Sequence, residues 1–208
     1  MSIPLPTEVD DLSVLTEALD ATGHDQRLAW AYTLGGKQQY RLYDLAAGKQ
    51  AVTPDDLHGG DGEVVRHHGR NGLMLFNHFE KRCAKVGDEL VGFNHNEWPG
   101  LIGRIARRVT GPGHYSFYAS PDVPGEVWID YRRVPTRSHE AFPPLVDNES
   151  GLRQLVFGNM VDVLRRVSEH VFIGDSFKNF PRDDRPPFFT RLASLGATAP
   201  FILVQQPR

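Results

Sequence analysis

The feature that most constrains this chain is a change of period near residue 60. Before it, apolar residues recur every three or four positions; after it, they alternate between glycine and proline turns. Helices followed by at least six short strands imply an α+β chain. The expected body is a curved antiparallel sheet, most simply a lipocalin-like β-barrel over 63–208, under a helical cover from 1–60, all in one domain of 208 residues.

The helical signals are local. Thr7 and Asp10 have capping-box spacing, which satisfies free N–H groups at a helix start. Leu12, Leu15 and Leu19 then form a stripe that Gly23 can end. A second helix is expected from Asp25 through Leu28, Ala31 and Tyr32 to Gly35-Gly36. A third gathers Leu42, Leu45 and Ala46 and stops at Gly48. Thr53 followed by Pro54 predicts one short helical turn.

Beyond "HGGDG" (58–62) the chain reads as strands. Asn71-Gly72 is a hairpin-turn dipeptide, and Gly87-Asp88 suits a two-residue turn between strands 73–86 and 89–96. Residues 114–120 and 126–134 form a second pair. A proline-rich loop covers 135–149, and 199–205 reads as the last strand. Two segments fit both periods. Residues 101–109 carry a helical stripe, and 159–177 read as helix turning to strand at His170.

Composition removes several classes. The net charge is −3 with no long basic block, Arg104, Arg107 and Arg108 being the nearest approach, so nucleic acid is not the expected partner. No apolar run approaches the ~18 residues of a membrane span. One cysteine, Cys83, permits no internal disulfide, and the first residues lack a signal pattern, so the expected location is cytoplasmic. Cys83 reads as a small core residue. Ser176 lacks the flanking glycines of a nucleophile elbow, and no phosphate-loop or dinucleotide fingerprint is present.

The chemistry-bearing feature is a duplicated His-x-Glu, His78/Glu80 and His95/Glu97, around Gly87-Asp88. With a two-residue turn, Val86 opposes Glu89, Glu80 opposes His95, and His78 opposes Glu97. Side chains alternate, so these four share a face with Arg82, Val91 and Phe93. The opposite face carries Phe79, Lys81, Cys83, Leu90 and Asn94. Imidazoles and carboxylates at this spacing suit acid–base work by His78, Glu80 and His95, or a divalent metal on His78, Glu80, His95 and Glu97. The bland alternative is a charge-paired outer ladder. The run Gly72-x5-His78-x-Glu80-x6-Gly87 is similar to part of the first cupin motif; that motif's second histidine is absent, and no family is assigned.

A second set comes from "GEVWIDYRR", where Glu126, Trp128, Asp130 and Arg132 share one face and Val127, Ile129 and Tyr131 a core-like one. Asp130 is a candidate general base, its pKa open to raising by burial or lowering by Arg132. His114 and Tyr118 share a face beyond a Gly-Pro-Gly turn. Adjacent His67 and His68 point to opposite faces and cannot chelate together. The resulting expectation is a barrel enclosing a partly apolar small molecule and moving protons on it, as an isomerase, cyclase or dehydratase does. The catalytic candidates are His78, Glu80, His95 and Asp130; the substrate-binding candidates are Phe93, His114, Tyr118, Trp128 and Arg132. This chemistry calls for no cofactor, with a divalent metal as the alternative. A metalloenzyme, or a non-catalytic carrier or sensor, are the alternatives, and a homo-oligomer is compatible with all of them.

Overall fold

The computed structural model describes residues 5–6, 11–72, 77–96, 100, 111–151, 153–178 and 200–207. Three helices come first: α1 (Leu12–Asp20), α2 (His24–Ala31) and α3 (Gly36–Leu45). Asp11 caps α1 by accepting from the Ser13 N–H. The capping pair expected at Thr7 and Asp10 lies outside the described residues. A single 3₁₀ turn, Pro54–Asp56, follows where Thr53-Pro54 predicted it.

Eight antiparallel strands then close a barrel in chain order. They are β1 (Val65–Asn71), β2 (His78–Val86), β3 (Glu89–Asn96), β4 (Gly113–Ala119), β5 (Val127–Asp130), β6 (Met160–Ser168), β7 (Val171–Lys178) and β8 (Phe201–Gln205). Pairing of β1 with β8 closes the sheet and leaves no free edge among these strands. A four-residue helix, α4 (Arg153–Val156), precedes β6.

The sequence and the fold agree on the lipocalin-like barrel and on the central hairpin. Val86 pairs with Glu89 and Glu80 with His95, as the two-residue turn requires. They part at two places. Asn71-Gly72 is not a two-residue hairpin turn. Asn71 still belongs to β1, pairing with Phe201, and its N–H reaches the Asn77 carbonyl across a longer connection. The stretch expected to be helical from Met160 is strand β6. Its pattern misleads because both faces are covered, so every residue from Met160 to Arg165 is buried and no alternation survives. The segment 101–109 lies outside the described residues.

Two apolar clusters explain the layout. The outer face of β6–β8 presents Val167, Val171, Ile173, Ile202 and Val204, and the helices cover it with Leu12, Leu15, Leu19, Trp30, Leu34, Leu42 and Tyr43. The inner cluster fills the barrel with Phe79, Cys83, Tyr115, Phe117, Ile129, Leu164, Phe172, Phe201 and Leu203. Three of these rings lie against facing glycines: Phe79 against Gly69, Tyr115 against Gly92 and Phe201 against Gly174. A Cβ on any of these glycines would overlap the ring. The centre of the barrel is thus packed with aromatic rings.

Candidate functional site

The hairpin's two faces have different fates. Phe79, Lys81, Cys83, Gly92, Asn94 and Asn96 point into the barrel, while His78, Glu80, Arg82, Phe93 and His95 point outward. Lys81 is therefore a lysine on the inner face of a barrel, only 2% exposed. Its Nζ lies 2.7 Å from Asp162 Oδ2 on β6 and 2.5 Å from the Tyr131 hydroxyl, and 3.4 Å from Asn94 Oδ1. Four rings surround it, with centroids at 5.0 Å (Tyr131), 5.1 Å (Phe201), 5.3 Å (Tyr115) and 5.5 Å (Phe79). An ammonium in an aromatic box gains from the ring quadrupoles as well as from its carboxylate. Asp162 Oδ1 is buried and has no hydrogen-bond partner among the described residues.

The neighbours of this pair are held in their neutral forms. Burial, then the negative charge of Asp162, push the Tyr131 phenol well above its ordinary range. Burial does the same to Tyr115 and raises the Cys83 thiol to about 11, so Cys83 is a core thiol, as its sequence context suggested.

Lys81 is linked to the end of β3 through Asn94. The β3–β4 ladder stops at the pair Asn94–Gly113, because the next residue is Pro112, which has no N–H to donate. Beyond that point His95 and Asn96 stay paired with β2 alone. A groove of about 300 Å³ opens there, lined by Phe93, Asn94, His95, Asn96, Gly111, Pro112 and Pro143. Two of its lining residues connect inward: Asn94 Nδ2 donates to Asn96 Oδ1 at 2.8 Å, and Asn94 Oδ1 accepts from Lys81.

The strand residues singled out in the sequence lie on the outer face of the barrel, Glu80 and His95 paired across the hairpin and Tyr118 and Trp128 paired across β4 and β5. Glu80, nearly buried, is held by Arg82 at 2.6 Å, and His68 Nδ1 lies 3.8 Å away. His78 packs its ring on Tyr32 at 4.4 Å. His95 is exposed, edge-on to Phe93, and both line the groove. Glu97 lies outside the described residues. Among the described residues no three His, Cys, Asp or Glu side chains gather as a metal-ligand group.

Asp130 is fully buried, and its contacts are complete. Arg132 donates to both its oxygens, at 2.8 and 2.9 Å, the Arg132 N–H adds 3.0 Å, and the Tyr118 hydroxyl donates at 2.7 Å. Burial works to raise the pKa of Asp130, but the bonds from Arg132 and Tyr118 outweigh it and hold the carboxylate below its usual range. Tyr118 is pushed up to about 12 by burial and by Asp130. Trp128 packs with Val161, Val163 and Phe177 on the outside of β5–β7, and Glu126 pairs with Arg165 at 2.8 Å. His114, also outward, bonds the Pro144 carbonyl at 3.1 Å through Nε2, and burial lowers its pKa.

Sequence reading passed over Lys81 and Asp162. One signal was present: a lysine between Phe79 and Cys83 on the more apolar face of a hairpin. Asp162 carries none, because its segment also fits a helical stripe through Met160, Val163, Leu164 and Val167. No protein-family model, curated protein or solved structure matches this chain.

Proposed function

We propose that this barrel binds a partly apolar small molecule through the groove at the end of β3. The apolar part rests against Phe93, Pro112 and Pro143, and the polar end meets Asn94, Asn96 and, behind them, Lys81. The observation that supports this reading is the hydrogen-bonded path from the groove-lining Asn96 and Asn94 to a buried ion pair, in which Asp162 Oδ1 has no hydrogen-bond partner among the described residues. Buried polar groups without partners are uncommon and favour a ligand or water that completes them. Small apolar sites with a few convergent polar groups are the usual form of a ligand pocket.

For proton-transfer chemistry of the isomerase, cyclase or dehydratase type, the groups nearest such a ligand are Lys81, Tyr131 and Asp162. Asp130 is a poor base in this setting, because four donors already occupy it.

Calorimetric titration with cinnamyl alcohol, cinnamate and anilinonaphthalene sulfonate tests the binding reading. The expected result is one saturable site with a negative heat-capacity change. Asn94→Leu should weaken it about tenfold or more, the loss of about 1.4 kcal/mol expected when one polar contact goes. No saturable binding by any of the three, or binding indifferent to both Asn94→Leu and Phe93→Ala, would overturn the reading.

A further inference from the structure

We propose that Lys81 is a covalent anchor, and that the small molecule taken by the groove is a carbonyl compound, an aldehyde or ketone, held as an imine on Lys81 Nζ. This rests on the binding reading above and names the ligand class of the same site.

Three observations carry it. The amine lies behind a groove, 3.4 Å from Oδ1 of Asn94, one of the residues that line it. A carboxylate lies 2.7 Å away to take and return a proton, and its second oxygen has no hydrogen-bond partner among the described residues. The surrounding rings and Asp162 are arranged around a positive nitrogen. A protonated imine carries the same charge at the same atom as the ammonium it replaces. The box and its counter-ion therefore serve both states, and a ligand can be bound without burying new charge.

The step balances without an oxidant or reductant. The Lys81 ammonium hands a proton to Asp162, and the freed lone pair attacks the carbonyl carbon. The C–N bond forms, and the carbonyl oxygen takes the proton back from Asp162. The nitrogen then releases a second proton to Asp162, which passes it to the hydroxyl. The C–O bond breaks, water leaves, and a C=N bond with one N–H remains opposite the Asp162 carboxylate. Lys81 and Asp162 touch the reacting atoms. Tyr131, kept neutral, is a positioning residue that accepts a hydrogen bond from Nζ.

The test is reductive trapping. Full-length protein is incubated with cinnamaldehyde and sodium cyanoborohydride, and the labelled lysine is found by peptide mass spectrometry. Lys37, Lys49, Lys85 and Lys178 are the internal competitors. Lys178 is the strongest of them, since burial lowers its amine pKa and frees its lone pair. The expected result is label on Lys81, suppressed by excess cinnamyl alcohol, which binds without forming an imine. Lys81→Arg should take no label at residue 81. The double variant Lys81→Met/Asp162→Leu removes both charges and replaces Lys81→Arg if that variant fails to fold. Label confined to the other lysines, with cinnamyl alcohol still bound, overturns the imine while leaving the groove as a binding site. No label on Lys81 and no alcohol binding overturns both.

Discussion

Two buried aspartates divide the molecule. Asp130, on the outside of β5, faces Arg132 and Tyr118 and has every oxygen engaged. Asp162, on the inside of β6, faces Lys81, and its second oxygen has no hydrogen-bond partner among the described residues. Both are acid–cation pairs removed from water. The first is closed: a bidentate guanidinium on a residue two positions away pins the end of β5. The second is open: it joins strands 81 residues apart, and its surplus acceptor adjoins a polar path to the surface. A filled carboxylate stabilises a local turn, whereas an unfilled one beside a groove can meet a ligand.

Breaking the inner pair should have the largest effect. Lys81→Met leaves Asp162 buried without its cation and should cost about 3–5 kcal/mol in urea denaturation, while Lys81→Met/Asp162→Leu should recover most of that loss. A double variant no more stable than Lys81→Met would show that the pair stabilises by something other than mutual compensation.

Asp130→Ala should cost less, about 1.5–3 kcal/mol, because the Arg132 side chain is 18% exposed and water can take over part of its pairing. The comparison inverts if Asp130→Ala proves the more damaging.

Gly174→Ala drives a methyl into the Phe201 ring. Since Phe201 is a wall of the Lys81 box, a loss of about 1–3 kcal/mol should be accompanied by a changed near-ultraviolet circular dichroism signal.

The smallest effect concerns pH. His114 is buried and neutral, with a pKa below the ordinary 6.5. As pH falls below about 6.5, the unfolded chain takes up a proton that the folded one refuses, so stability falls, by at most about 1.4 kcal/mol per pH unit. The loss stops once pH passes the folded value. His114→Asn should flatten this part of the stability profile. An unchanged profile would place the pH dependence on other groups.

The faces of the central hairpin show how far local reading reached. A two-residue turn at Gly87-Asp88 dictates the pairing of every residue outward from it, so Glu80 opposite His95 was legible. The core side chains Val127, Ile129 and Cys83 were legible for the same reason: apolar residues at strand spacing sort onto one face. Functional weight then went to the face with more histidine and glutamate. That face is outward, where Glu80 pairs with Arg82 and His95 meets solvent.

By itself the sequence determined the element types on either side of residue 60, the hairpin register and the lipocalin-like class, since turn chemistry and periodicity act over a few residues. Tertiary structure decided which face is inside, that β6 is a strand, and that Lys81 meets Asp162. Alternation divides side chains into two sets, but it names the inner one only when the other is wholly polar. Here helices and the 131–149 loop cover parts of the outer face, with Phe142 of that loop packed on Phe93. Both sets are therefore mixed, and only closure of the barrel distinguishes them.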